Sequence, residues 1–136
     1  MTTGYSKTPL IKKLGIKRGF RLALLDAPMD YLETWGDLPP DLQIDSAIAK
    51  APYDFIQAFY VWRADYENDF LRLKSAIHKR GMVWISWYKK ASKMPTDLSE
   101  DIVREVALAG GLVDVKVAAI DAQWSGLKLV YRSKDR

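Results

Sequence analysis

The stretch "RLALLDAPMDYLETWG", residues 21–36, carries the reading of the fold. Residues 21–26 form an apolar run of strand length. Tyr31, Leu32 and Trp35 then fall at helical spacing, with Gly36 as a stop. A strand followed by a helix is the repeating unit of an α/β sheet. In such sheets ligands sit at the carboxyl ends of the parallel strands. The turn between the two elements, Asp26-Ala27-Pro28, is therefore the first place to look for a site.

Working outward, "KTPLIKKLGI" reads as a short entry helix, with Thr8 as cap, Pro9 at the first helical position and Gly15 at the exit. "GDLPP" is a turn and "LQID" a short edge strand. "YDFIQAFYVW" is β-branched and aromatic on both faces, as a central strand covered on each side should be. Residues 65–79 predict a helix, since Tyr66, Phe70, Leu73 and Ile77 make one stripe. His78, Lys79 and Arg80 then sit at its end and Gly81 closes it. "MVWISWY" follows as a second buried strand. Asp97 and Glu100 have the spacing of a capping box before the next helix, which Gly110-Gly111 stops. "LVDVKVAAI" and "LKLVYR" are strands joined by "DAQWSG", short enough for a hairpin. The expected fold is α/β, a doubly wound, mostly parallel sheet with a C-terminal antiparallel hairpin. One domain covers residues 1–136, with residues 1–20 as N-terminal segment and entry helix and residues 21–132 as the core.

The chain has 136 residues, 49% of them apolar and 28% charged, which suits a globular domain with a real core. It has no cysteine, which excludes disulfides, thiolate metal sites and a cysteine nucleophile; His78 is its only histidine. No apolar run approaches the roughly 18 residues that cross a bilayer. The first ten residues lack the apolar segment of a signal peptide, so a cytoplasmic location and no membrane partner are expected. The net charge of +4 favours an anionic small molecule or a protein as partner.

The strand ends give a concrete set of candidate residues. The first strand delivers Asp26, Ala27 and Pro28; the "FYVW" strand delivers Trp62 and Arg63. "WISWYKK" delivers Trp87, Lys89 and Lys90, and the hairpin adds Asp121 and Trp124. Together they read as a crevice for an anion or a ring, although strand ends are also where polar residues leave any core. Asp26 is either an acceptor for a ligand amine or the cap of the following helix. Lys89 and Lys90 meet a phosphate or are simply solvated, and Trp62 and Trp87 stack on a ring or pack in the core. Gln57, inside an apolar strand, needs a hydrogen-bond partner, for which backbone is the first expectation. No carboxylate pair, nucleophile–base pair or metal cluster has usable spacing, so no catalytic residue is assigned.

With those residues in hand, "YDFIQAFYVW", a helix, "GMVWISW", a helix and a terminal hairpin resemble the second half of a class I S-adenosylmethionine-dependent methyltransferase. The resemblance covers about residues 21–132. It implies a Rossmann-like fold with a reversed seventh strand, a glycine-rich first loop on residues 26–30, and an acidic ribose-binding residue that only Asp45 matches. No glycine stands in residues 26–30. The chain also resembles a small bacterial family of uncharacterised proteins. That likeness rests on "GYSKTPLIKKLGIKRG", "GMVWISWYKKASKMPTDLSEDIVREVALAGGLVDVKV" and "WSGLKLVYR", and it implies no activity.

An adenosyl group must press against the backbone at the first turn. Ala27 adds a Cβ there and Pro28 removes an N–H. The reading taken is a methyltransferase-like domain without ordinary cofactor binding, so with no cofactor, that acts as a binding or regulatory protein. The alternative is a methyltransferase with an atypical S-adenosylmethionine pocket, held by Asp26 and Trp87 with "GYSKTP" as a lid. A second alternative is a nucleic-acid binder using Lys89, Lys90 and Lys93.

Overall fold

The computed structural model describes residues 8–49 and 51–136. Most of the "GYSKTP" segment read as a lid therefore lies outside the described residues. In chain order the elements are α1 (Leu10–Leu14), β1 (Arg21–Leu25), β2 (Gln43–Asp45), β3 (Tyr53–Phe59), α2 (Arg63–Ala76), β4 (Ile77–Tyr88), α3 (Glu100–Ala109), β5 (Leu112–Ala119) and β6 (Trp124–Tyr131). Residues Tyr31–Trp35 form a 3₁₀ turn.

The strands make one six-stranded sheet in the order β2-β1-β3-β4-β6-β5. The first four run parallel, and β6 is antiparallel to both β4 and β5. The expected doubly wound sheet with a closing hairpin is what the chain forms. Its reversed strand is the sixth and not a seventh.

Two apolar layers flank the sheet. On one face Tyr66, Phe70 and Leu73 of α2 and Val103 and Ala107 of α3 pack on Ile56, Ile85, Leu127 and Leu129. On the other, Leu14, Tyr31 and Trp35 pack on Leu22, Phe55, Trp84 and Trp124. Burial on both faces explains why β3 and the second half of β4 are apolar on both sides rather than alternating, with Asp54, Gln57 and Ser86 as the polar exceptions. Two bonds pin helices to their neighbours: the Tyr66 hydroxyl donates to the Val103 carbonyl at 2.9 Å, and the Trp84 indole N–H donates to the Leu14 carbonyl at 3.1 Å.

Several boundaries differ from the sequence reading. α2 starts at Arg63 and stops at Ala76, and β4 begins at once with Ile77. Ile77 pairs with Tyr53 in the parallel ladder, and His78 meets the Asp54 carboxylate at 2.8 Å. His78, Lys79 and Arg80 are thus strand residues and not a helix end. Gly81 is not a helix stop either; a Cβ there would lie 2.9 Å from the Tyr53 carbonyl, so glycine lets the two strands approach. Ser99, not Asp97, caps α3 by accepting from the Ile102 N–H. Asp97 instead accepts from the Arg63 N–H at 2.7 Å and so caps α2 from a distant loop. Pro9 stands one position before the first helical residue of α1.

Gly110 ends α3 directly against the buried Phe70 ring, where an added Cβ would overlap the ring edge. Gly110→Ala is expected to cost about 1–3 kcal/mol through overpacking. Thermal unfolding of the variant checks this, and an unchanged midpoint would mean that the α2–α3 seam is looser than the structure has it.

Candidate functional site

The chain leaves β1 outward to β2 and returns across it to β3, so the sheet's switch point lies between β1 and β3. At the carboxyl ends of these strands lie two hollows that share Asp26 and Pro28. The outer chamber, of about 750 Å³, lies between the ends of β1 and β2 and is walled by Leu24, Ala27, Leu32, Ile44 and Asp45. The inner chamber, of about 660 Å³, lies beside the ends of β3 and β4 and is walled by Phe59, Tyr60, Trp62, Asp65, Asp69 and Trp124, among others. Both fall within the size range of ligand pockets.

The turn after β1 solves its missing glycine in an unexpected way. Asp26 has φ 56° and Asp30 has φ 61°, both in the left-handed region that glycine usually supplies. Aspartate tolerates that region better than most residues. The turn therefore has the backbone freedom that its sequence lacks on paper. Nor is Asp26 a cap: the following 3₁₀ turn has Asp30 at its N-cap, and no side chain caps it. The Asp26 side chain is exposed beside both chambers.

Asp45, at the end of β2, accepts from the Tyr53 hydroxyl at 2.6 Å and from Arg21 at 3.4 Å. The Tyr53 hydrogen bond, followed by Arg21, holds its carboxyl below the ordinary aspartate range, although burial pushes the other way. Both bonds land on Oδ2, which leaves Oδ1 for a ligand.

Beneath the chambers runs a buried polar chain. The Tyr31 hydroxyl donates to Gln57 Oε1 at 2.7 Å, and Gln57 Nε2 donates to Ser86 Oγ at 3.0 Å. Gln57 thus finds side chains and not backbone. Burial raises the Tyr31 phenol well above its ordinary range, so it remains a donor. In the inner chamber the Tyr60 hydroxyl donates to Asp69 at 2.7 Å, and burial, then Asp69, raises that phenol too. Tyr88 stacks on Trp124 with ring centroids 4.0 Å apart, and Phe59 meets Trp124 edge-on at 5.1 Å.

Of the residues singled out in the sequence, Asp26, Ala27, Pro28, Trp62 and Trp124 come together at this crevice. Trp87, Lys89 and Lys90 do not; they line a separate hollow of about 420 Å³ with Met94 and Leu98. The Trp87 ring is buried in the layer under α2 and α3. Arg63 turns to Glu67 and Glu105 on the α2–α3 surface. Asp121 is spent in the hairpin turn, where Oδ1 accepts from the N–H groups of Gln123 and Trp124, each at 2.8 Å. The sequence reading missed Asp65, Asn68 and Asp69. They follow one another at helical spacing after Trp62, which marks one face of α2 turned toward the strand ends.

Similar proteins enter through structure alone. No family model matches the chain. No curated protein matches it in sequence. Solved structures do match. A SAM-dependent methyltransferase from Aquifex aeolicus has 15% identity and a TM-score of 0.64 over 88% of this chain and 86% of its own. Magnesium protoporphyrin IX methyltransferase from Synechocystis, with bound SAM, has 11% identity and a TM-score of 0.57 over 90% and 74%. A TehB-like SAM-dependent methyltransferase from Corynebacterium glutamicum has 13% identity and a TM-score of 0.56 over 90% and 85%. At these identities the likeness is one of fold: this is a class I methyltransferase-like α/β sheet. The reading of a binding or regulatory domain with no cofactor is corrected on this ground. The neighbours are methyltransferases; the Synechocystis structure holds SAM, and a second structure of that same enzyme, with 9% identity and a TM-score of 0.58 to this chain, holds SAH. The left-handed Asp26 and Asp30 supply the bend that glycine usually gives, while Ala27 keeps its Cβ and Pro28 still lacks an N–H at this turn. Among the described residues, no helix is long and apolar enough to cross a membrane.

Proposed function

We propose that this chain is an S-adenosylmethionine-dependent methyltransferase with an atypical pocket, the cofactor lying in the outer chamber between β1 and β2. The observation that carries the reading is the turn after β1. Two aspartates take the backbone conformation that glycines ordinarily provide, and the turn opens onto a chamber closed by a carboxylate at the end of β2.

The residues present fit the group. Leu24, Ala27, Leu32 and Ile44 offer an apolar wall for a purine, and the free Oδ1 of Asp45 can accept from a ribose diol. Asp26 and Asp30 face the chamber with the charge that an ammonium or sulfonium centre needs. The chain departs from the usual arrangement at Pro28, which has no N–H, so side-chain carboxylates take over part of what backbone donors do elsewhere. When bound, the cofactor supplies a methyl group activated by the positive sulfur. The protein's part is to hold that centre at the mouth shared by the two chambers and to keep the acceptor in the inner one.

Calorimetric titration with S-adenosylmethionine and S-adenosylhomocysteine tests the reading. Micromolar binding of either is expected. Asp45→Ala should weaken it about tenfold, the loss of one hydrogen bond to a charged acceptor, or ~1.4 kcal/mol. No heat at millimolar ligand would overturn it.

A further inference from the structure

The inner chamber differs from what the net charge of +4 leads one to expect. Its walls are Phe59, Tyr60, Trp62, Tyr88 and Trp124, with Asp26, Asp65 and Asp69 at the rim, and no lysine, arginine or histidine lines it among the described residues. From these walls we infer that the inner chamber binds an amine as its ammonium cation, and that this nitrogen is the methyl acceptor. The nitrogen gives its proton to a rim carboxylate or to water, and its freed lone pair forms the N–CH3 bond as the sulfonium S–CH3 bond breaks and neutral S-adenosylhomocysteine leaves. The inference rests on the methyltransferase reading for the word acceptor, though not for the binding itself.

Two independent features point to such a ligand. The first is aromatic. Four of the five tryptophans are 0–6% exposed, whereas Trp62 is 47% exposed on the chamber wall. An indole open at a cavity mouth offers a flat apolar face with a polar edge to whatever enters. The stacked Tyr88–Trp124 pair lines the same cavity. Aromatic faces attract an ammonium through their quadrupole, most strongly from tryptophan and where water is excluded.

The second feature is electrostatic. Asp26 and Asp65 are exposed and take part in no ion pair among the described residues, so their charge is directed at whatever enters. Asp69 is partly offset by Arg72 at 3.5 Å and holds the Tyr60 hydroxyl, which fixes its orientation. An anionic ligand would meet three carboxylates and no cation, and like charges at close range are strongly excluded. The anionic partner suggested by net charge therefore does not suit this chamber. The protein's surplus lysines and arginines lie elsewhere, for example around Lys79, Arg80, Lys128 and Arg136 at the opposite end of β4 and β6.

The test uses three probes of one shape and three charges: phenethylamine, 2-phenylethanol and phenylacetate, titrated into the protein without cofactor and followed by calorimetry and tryptophan fluorescence. Phenethylamine should bind at least tenfold tighter than the alcohol, and phenylacetate should not bind. Trp62→Ala and Asp65→Asn, both at exposed positions and checked for native circular dichroism, should each weaken the amine about tenfold. Equal binding of all three probes, tighter binding of the acid, or an amine affinity indifferent to both variants would overturn the inference. Its fate is separable from that of the cofactor reading. Amine binding without S-adenosylmethionine binding leaves the chamber assignment and removes the methyltransferase; the reverse result removes only the amine.

Discussion

Trp84→Ala is expected to lower the unfolding free energy by about 3–5 kcal/mol, the range for a fully buried aromatic truncated in a core. Trp84 is 0% exposed in the middle of β4, between Lys128 of β6 and Gln57 of β3. Its ring fills the layer shared with Leu14, Leu22 and Phe55, and its N–H makes a buried bond that fastens α1 to the sheet. Truncation leaves a cavity and an unpaired Leu14 carbonyl together. Since domains of this size are stable by roughly 5–15 kcal/mol, the variant should be close to unfolding at ambient temperature. Urea denaturation against Trp84→Phe, which keeps most of the bulk and loses only the donor, separates the two contributions. A loss below about 1 kcal/mol for the alanine variant would contradict the packing described here.

Gln57→Leu should be nearly as damaging, for a different reason. The substitution conserves size but strands the Tyr31 hydroxyl and Ser86 Oγ, both buried, with no partner. Each orphaned group costs about 1–3 kcal/mol, so a total of roughly 2–6 kcal/mol is expected. Adding Tyr31→Phe removes one orphan. The double variant should therefore be more stable than Gln57→Leu alone, a reversal of the usual sign that only a coupled pair produces. Simple additivity of the two changes, measured by the same denaturation, would dissolve the chain of hydrogen bonds proposed beneath the crevice.

Much of the architecture was legible in the sequence because burial on two faces leaves a plain mark. "YDFIQAFYVW" and "MVWISWY" are apolar on both faces but for Asp54, Gln57 and Ser86, and α2 and the hairpin announce themselves by period and turn. What misled was local chemistry that tertiary contact overrode. His78-Lys79-Arg80-Gly81 has every mark of a helix end, yet the Asp54 carboxylate on His78 and the pairing of Ile77 with Tyr53 draw it into β4. Asp97 has the spacing of a cap for one helix and serves another. The site was half legible. Strand ends named Asp26, Ala27, Pro28, Trp62 and Trp124, but Lys89 and Lys90 face a different hollow because the chain turns away after Tyr88. The left-handed backbone at Asp26 and Asp30 left no sequence signal, since aspartate reads first as a cap.

The closing hairpin bears on the order in which the molecule assembles. Ala119 and Ser125 are partners only six positions apart, whereas Leu22 must find Phe55 and Tyr53 must find Ile77 across much longer loops. Closing a short loop sacrifices little chain entropy, so β5–β6 is positioned to form on the microsecond scale typical of hairpins. The parallel half, dominated by distant pairings, then sets the overall pace. The hairpin that brings Trp124 to the crevice is thus the part of the sheet with the shortest loop to close.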